Sequence, residues 1–370
     1  MKIDYLSPYN QQTLPKMKIL KYLFFLILIV IIAIAIYFGT KDGSYDVAET
    51  KVIDAPAEVL YNNVKDFKNW KEWGPWMEED PDLEITYAEK TEGEGASYSW
   101  TSEEMGDGSM KTVKVIPNKE IDQQIVFHSP MGESVSDVYW RFEEIENQNQ
   151  TKVTWGMKGE QSFMEKVYMG LFSDQDMETS VEQMFGTGLN KLEKVVTDAM
   201  KKYSVNVDGV TQYNVGYYMY TTTAAKQSEI GDKMGPMLGM VSGYMNENNI
   251  PMAGMPFTVY NEIDQTNNTV IFSAAIPVRD RVITPEGSPV LGGYMEPGTA
   301  LKTTLKGDYT NLRFAYEKAN EYIASNNLQL DPTAKMFEVY VTDPGEVPNP
   351  ANWVTEIYMP VIVIDRNLDE

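Results

Sequence analysis

Residues 353–361 read WVTEIYMPV, and this stretch is the most specific signal in the 370-residue chain. Side chains alternate between the two faces of a strand, so Val354, Glu356 and Tyr358 share one face. A carboxylate on an otherwise apolar strand is costly to bury unless it is paired or protonated. A cationic ligand held by Glu356 and an aromatic ring would supply that partner. The alternative, which stays open, is an exposed glutamate on an edge strand.

An internal repeat extends outward from this stretch over residues 204–366. The segment 244–250 (YMNENNI) recurs 78 residues later as 322–328 (YIASNNL). The segment FTVY that follows the first copy recurs after the second as FEVY. Each copy predicts a strand, a helix that ends at the Asn-Asn pair, and two further strands. Two such βαββ units can pair about a pseudo-twofold axis and leave a central groove.

These residues make the second half of the chain similar to the GyrI-like family, also known as AraC effector-binding and SOUL-related. The resemblance implies a module that binds amphipathic, often cationic small molecules, with a glutamate of the last strand as the acidic contact. Carried onto this chain, that glutamate is Glu356. Some members are hydrolases of electrophilic drugs, which would make Glu356 and Tyr358 catalytic. The candidate ligand contacts of this domain are Glu356, Tyr358, Trp353, Tyr218, Tyr220, Tyr260, Tyr340 and Tyr294.

A different pattern fills residues 45–200. Apolar residues alternate with period two in about six segments, which predicts an antiparallel meander with one apolar face. Residues 178–200 place apolar side chains at helical spacing and predict a long helix that covers this face. The entry segment 52–61 (VIDAPAEVLY), with the tryptophans after it, resembles the START-like/polyketide-cyclase (SRPBCC, helix-grip) superfamily. The resemblance implies a cavity between sheet and helix that holds an apolar molecule.

Aromatic side chains are concentrated in this first domain, where six of the seven tryptophans lie between Trp70 and Trp155. One interpretation is that they form the core of the sheet. The other is that they line a ligand cavity, with Trp100, Trp140 and Trp155 as the candidate contacts. The one histidine, His128, is interpreted as a solvent-facing strand residue, since it lies opposite its apolar neighbours.

The N-terminal part contains an unbroken apolar run, residues 22–38 (YLFFLILIVIIAIAIYF). Such a run is near the lower length limit for crossing a bilayer, and flanking residues extend it to a predicted transmembrane helix over 19–39. Four lysines precede the run with one opposing aspartate, which predicts a cytoplasmic N-terminus over 1–18 and extracytoplasmic domains beyond. The alternative is a cleaved signal peptide, because Ala33-Ile34-Ala35 resembles a cleavage site.

Composition excludes several classes of chemistry. The net charge is −23 and only five arginines are present, which argues against nucleic acid as a partner. The chain has no cysteine, so disulfides, thiol nucleophiles and Cys-ligated metals are excluded. A single histidine excludes sites with several histidine ligands. We therefore expect neither a metal nor another cofactor, and the remaining chemistry is that of carboxylates, tyrosines, hydroxyls and apolar pockets.

The sequence thus predicts an α+β protein: one transmembrane helix, a helix-grip antiparallel sheet over 45–200, and a duplicated βαββ domain with a pseudo-twofold groove over 204–366. The expected function is binding of apolar or amphipathic ligands, cationic ones among them, by two tandem extracytoplasmic modules at a cell membrane. Two alternatives are a hydrolase that uses Glu356 and an envelope scaffold that engages other proteins.

Overall fold

The computed structural model describes residues 14–104, 106–129, 132–146, 149–172 and 176–363. The first thirteen residues of the predicted cytoplasmic segment and residues 364–366 of the second predicted domain lie outside these ranges. The chain divides into two compact units, Met1–Val195 and Val196–Glu370, which are described separately. The division falls inside a long helix, a few residues before the junction expected from the sequence.

The first unit begins with an apolar helix and continues as a sheet with one long covering helix. By length and composition, Ile19–Thr40 is able to cross a membrane, and a signal sequence would meet the same criteria. The elements are α1 (Leu14–Thr40), β1 (Ser44–Ile53), α2 (Ala57–Lys65), α3 (Trp76–Glu79), β2 (Glu84–Tyr87), β3 (Ser97–Thr101), β4 (Asp107–Ile116), β5 (Glu120–Ser129), β6 (Gly132–Ile145), β7 (Gln150–Glu160), α4 (Phe163–Phe172) and α5 (Met177–Met200).

The seven strands of this unit form one antiparallel sheet in the order β1-β7-β6-β5-β4-β3-β2. Helix α5 lies on its apolar face and contributes the buried side chains of Phe185, Leu189 and Leu192. The phenyl ring of Phe185 stacks on Trp155 with ring centres 4.2 Å apart. The predicted helix-grip arrangement is confirmed, and the period-two alternation is its cause, since every second strand residue faces the helix.

The second unit holds the duplicated domain. Its elements are β8 (Ser204–Tyr213), β9 (Gly216–Lys226), α6 (Ile230–Glu247), β10 (Phe257–Asp264), β11 (Thr269–Pro277), β12 (Leu291–Met295), β13 (Gly298–Lys306), α7 (Leu312–Ser325), β14 (Leu328–Leu330), β15 (Phe337–Tyr340) and β16 (Val354–Val363). The sheet order is β12-β9-β11-β10-β15-β16-β13-β8, with β14 paired to β16 outside this path.

The two repeats meet at the centre of this sheet, where β10 pairs antiparallel with β15. The register places Phe257 opposite Val339 and Val259 opposite Phe337, with Thr258 opposite Glu338 between them. The pseudo-twofold axis therefore passes between Thr258 and Glu338. Helices α6 and α7 both end at the predicted asparagine pairs, where Asn249 and Asn327 adopt positive φ angles of 54° and 53°. Asparagine tolerates this left-handed geometry, which explains its place in both copies.

The short strand β14, which pairs with β16, was not predicted from the sequence, and neither were three further elements. Helix α4 lies between the meander and α5, β8 precedes the first repeat, and β12 lies in the segment between the repeats. β8 pairs with β13 and β12 with β9, so each adds an outer strand to the duplicated core. Their apolar residues are spread over both faces or interrupted by glycines, which weakens the period-two signal.

Candidate functional site

The first unit contains an apolar cavity between the sheet and α5. Its volume is about 80 Å³, enough for several water molecules or a small apolar ligand. Trp76 and Leu83 close one side, and Met184 and Phe185 contribute from α5. The remaining wall is the inner face of the sheet, formed by Tyr98, Trp100, Met110, Ile125, Phe127, Val138, Trp155 and Met157.

Two of the three predicted tryptophan contacts line this cavity. Trp100 and Trp155 are part of the wall, whereas Trp140 is not. Trp140 is fully buried and stacks on Trp155 with ring centres 4.4 Å apart. Trp70 and Trp73 pack edge-on against it. Trp140 is therefore held behind the wall as a packing residue, because its ring is enclosed by other indoles on the sheet core.

The sheet of the second unit divides the predicted contacts of that domain between its two faces. Tyr218, Tyr220 and Tyr358 pack around a cluster formed by Phe257, Val259, Ala275 and Phe337. We call this side the groove face. The opposite side, the helix face, is covered by α6 and α7 and carries Tyr260 and Tyr340. The predicted residues thus do not form one pocket.

Glu356 lies on the groove face and already has two partners from its own chain. Lys302 Nζ lies 2.7 Å from Glu356 Oε1, and Tyr358 donates its hydroxyl to Oε2 over 2.8 Å. Both side chains of the ion pair are about a quarter exposed. The ring of Tyr358 stacks on Phe337 with ring centres 4.6 Å apart. Burial, followed by the bond to Glu356, raises the pKa of Tyr358 far above its ordinary value.

A second carboxylate, which the sequence analysis did not single out, lies on the helix face. Glu338 is only 2% exposed. Tyr260 and Tyr316 donate to its Oε1 over 2.9 and 2.6 Å, and Tyr340 donates to Oε2 over 3.2 Å. Within the described ranges no lysine or arginine forms an ion pair with Glu338. We call these four residues the Glu338 cluster.

Burial dominates the electrostatics of this cluster. It raises the pKa of Glu338, and the hydrogen bonds from the tyrosines only partly oppose it. Burial and the nearby carboxylate also raise the pKa values of Tyr260, Tyr316 and Tyr340 well above the ordinary range. A carboxylate in these surroundings gains by binding a proton or a cation.

The last two predicted aromatic residues lie near the edges of these faces. Trp353 packs on Tyr309 at 4.8 Å between ring centres, and Tyr309 contacts Tyr340 at 5.5 Å. This places Trp353 next to the Glu338 cluster. Tyr294 on the edge strand β12 packs against Tyr217 instead. It borders an open groove of about 780 Å³ under the segment between the repeats.

One signal in the sequence could have identified Glu338. The repeated segments FTVY and FEVY differ at their second position, which is Thr258 in the first copy and Glu338 in the second. These two residues face each other at the pseudo-twofold axis. A carboxylate that replaces a hydroxyl at the symmetry centre breaks the duplication there. His128, for comparison, lies half-exposed beside Glu133, in agreement with its interpretation as a solvent-facing residue.

Two family models match the chain. Residues 44–197 match the family described as polyketide cyclase/dehydrase and lipid transport, and residues 215–362 match the GyrI-like small molecule binding domain. No curated protein matches the chain. Across the described ranges, no group of three or more His, Cys, Asp or Glu side chains is arranged to hold a metal ion.

Among solved structures, the chain is similar to the C-terminal domain of EcmrR, with 19% identity, 44% of this chain and 99% of that chain covered, and a TM-score of 0.38. The Aha1 dimer from Colwellia psychrerythraea has 19% identity, coverages of 41% and 96%, and a TM-score of 0.30. Ara h 8.0201 has 14% identity, coverages of 42% and 99%, and a TM-score of 0.31.

The helix-grip fold and the duplicated sheet agree with these family matches. Both families are small-molecule-binding domains. The chain is therefore a tandem protein whose residues 44–197 form a polyketide cyclase-like (SRPBCC) domain and whose residues 215–362 form a GyrI-like small-molecule-binding domain.

Proposed function

We propose that the protein is a single-pass membrane protein that binds apolar and cationic amphipathic molecules outside the cytoplasm, in the periplasm if the cell is Gram-negative. The observation that carries the binding function is the cavity of the first domain. Protein interiors are close-packed, so a void of about 80 Å³ lined almost wholly by apolar side chains is suited to an apolar ligand. The apolar helix α1 and the lysines before it support the anchor and its orientation.

The second domain would bind the cationic amphipathic molecules. Glu338 supports this, because it is a buried carboxylate with three hydroxyl donors and no ion pair in the described ranges. Three tyrosines contact it through their hydroxyl groups, and their rings would supply aromatic faces to an organic cation that enters between them. Helix α6 covers the cluster, with Met234 Sδ 3.3 Å from Thr258 Oγ1. A ligand would reach Glu338 by displacing side chains of α6.

Glu356 is the cation contact that the sequence predicts, and it is the alternative to Glu338. Its ion pair with Lys302 stands in the way of a ligand. A cation that binds there must displace Lys302 or share the carboxylate with it. Hydrolysis with Glu356 as the base meets the same obstacle, because both carboxylate oxygens already accept hydrogen bonds from the chain. We therefore propose binding rather than catalysis.

Native mass spectrometry of the full chain, extracted mildly from membranes, tests the apolar site. The expected result is a co-purified apolar ligand that is lost in Met184→Trp, which fills the cavity from α5. Glu182→Trp is the matched control, since this residue is exposed on the same helix. Retention of the ligand by Met184→Trp would contradict the assignment.

The anchor and its orientation need a separate test. A reporter enzyme that is active only outside the cytoplasm, fused to the C-terminus, should be active and should sediment with membranes. Activity of a reporter that works only in the cytoplasm would reverse the orientation. A mature N-terminus near Ile36 would replace the anchor by a cleaved signal peptide.

A further inference from the structure

Helix α4 carries an apolar stripe that is open to its surroundings. None of its residues is buried, and five of its large apolar side chains are between 42% and 72% exposed. At about 100° per residue, these positions and Val167 fall within roughly half of the helix circumference. The exposed members of this stripe are Phe163, Met164, Tyr168, Leu171 and Phe172. An apolar patch of this kind on a surface helix usually marks an interaction site.

The other side of α4 is fixed to the end of α1. Lys166 Nζ donates to the carbonyl oxygen of Lys41 over 2.7 Å. The ring of Phe38 packs directly on Gly170, where any Cβ would collide with the ring. Phe38 is buried where the two helices meet, although most of α1 is exposed. Helix α4 is therefore held at the C-terminal end of the apolar helix.

This position sets the depth of α4 relative to a bilayer. The 22 residues Ile19–Thr40 span about 33 Å, close to the thickness of the hydrocarbon core. If α1 crosses the bilayer, Phe38 and Lys41 lie at its boundary with water. The helix that packs on them lies at the same boundary.

We propose that α4 is an interfacial helix whose apolar stripe is inserted into the surface of the bilayer that α1 crosses. This inference rests on the proposed anchor. The charges of α4 favour apolar contact with the bilayer over electrostatic attraction. The helix contains one acidic and one basic residue, Glu165 and Lys166, and both contact their own chain. A chain of net charge −23 gains no attraction from anionic lipids, so apolar insertion is the source of binding.

The docked helix would bring the ligand cavity near the lipid. Sheet residue Val47 pairs with Met157, which in turn pairs with Val138, and the last two line the cavity. Val47 is three residues from Ser44, the first strand residue after α1, so the cavity begins about 10 Å along the sheet from that point. An apolar ligand dissolved in the bilayer would thus have a short path to the cavity.

Site-directed spin labelling of the full chain in phosphatidylcholine vesicles tests the proposal, and the absence of native cysteine allows labels at single introduced cysteines. Tyr168→Cys and Phe172→Cys report on α4, with Met164→Cys as a second choice if one variant expresses poorly. Ile29→Cys in α1 tests the anchor. Lys119→Cys, in the turn between β4 and β5 at the opposite end of the sheet from Ser44, is the aqueous control.

The expected result is that labels at 168 and 172 collide with oxygen more than with a water-soluble nickel chelate. Their depth should be about 5–10 Å into the headgroup and acyl boundary. The label at 119 should show the reverse preference. Labels at 168 and 172 in water, with 29 in lipid, would overturn the α4 proposal and leave the anchor intact. A label at 29 in water would overturn the anchor and the proposal together. Spin–spin broadening between labels at 172 would assign the stripe to a second copy and overturn it.

Discussion

Glu338 and Glu356 lie on the adjacent strands β15 and β16, yet they face opposite sides of the sheet and have different partners. Glu356 is about a quarter exposed and pairs with Lys302 at 2.7 Å. Glu338 is almost fully buried, and tyrosine hydroxyls are its hydrogen-bond donors. A carboxylate that stands next to apolar residues in a sequence is therefore not necessarily available to a ligand. Its availability depends on whether the fold places a lysine or arginine of the same chain beside it.

The largest expected difference between the two carboxylates appears when one tyrosine donor is removed from each. Tyr316→Phe removes the shortest of the three hydrogen bonds to the buried Glu338 and should lower the free energy of unfolding by about 1.5–3 kcal/mol. Tyr358→Phe takes a donor from the partly exposed Glu356, which keeps its ion pair with Lys302, and should cost less than about 1 kcal/mol. Chemical denaturation of both variants measures the difference. Equal losses would show that burial does not distinguish the sites.

The second largest expected difference between Glu338 and Glu356 is in how stability depends on pH. Burial raises the pKa of Glu338 above its ordinary value of 4.5, so the folded state binds the proton more tightly than the unfolded state. This contribution to stability is complete below pH 4.5 and is lost as pH rises through the raised pKa. The slope for one group is at most about 1.4 kcal/mol per pH unit.

Denaturation curves over a pH series test this sign. Glu338→Gln should remove the slope, whereas Glu356→Gln should leave it in place. A wild-type stability that rises with pH over this window, and loses that rise in Glu338→Gln, would reverse the assigned direction.

A smaller effect should come from the helix that covers Glu338. Helix α6 contains Pro236 and glycines at positions 231, 235, 239 and 243, an intrinsically weak composition for a helix. A Cβ at Gly239 would meet nothing within 4 Å, so Gly239→Ala should stabilise the protein by about 0.4–1 kcal/mol. If cations pass beneath α6, their association should also become slower. Stopped-flow binding would reveal an unchanged rate if α6 need not move.

The smallest expected effect concerns the ion pair. Lys302→Met removes the cation beside Glu356 and should cost about 0.2–1 kcal/mol of stability, as for other solvated pairs. The freed carboxylate should then bind cations more tightly than in the wild type. Titration of this variant with an organic cation measures the gain. No gain would indicate that Lys302 does not compete for Glu356.

The main elements of both domains were predictable from the sequence. The spacing of apolar residues reflects which face of a strand or helix is buried. Period-two alternation and a helical stripe predicted the first domain, and the Asn-Asn pairs marked both helix ends in the second, where the backbone is left-handed. Helix α4 was not predicted, because a short apolar segment of about ten residues does not by its pattern alone distinguish a helix from a strand.

The candidate site was predictable only in part. Glu356 and Tyr358 are in hydrogen-bond contact, but nothing in the local sequence indicates that Lys302, 54 residues earlier, lies beside them. Strand register decides this, and register is a property of the whole sheet. Tyr260 and Tyr340 were expected near Glu356 and instead surround Glu338, because β10 and β15 turn these residues toward the helices.

If Glu338 holds the cationic group of a ligand, two ligands of the same shape that differ only in charge should bind with different affinities. The measurement is the affinity of a phenyl quaternary ammonium compared with its uncharged tert-butyl isostere, for the wild type, Glu338→Gln and Glu356→Gln. We predict that the wild type prefers the cation by about 2–4 kcal/mol, the usual cost of removing one partner of a buried charge pair. That preference should vanish in Glu338→Gln and persist in Glu356→Gln. A preference that survives in Glu338→Gln and disappears in Glu356→Gln would exclude Glu338 as the cation contact and assign the cation to Glu356 on the groove face.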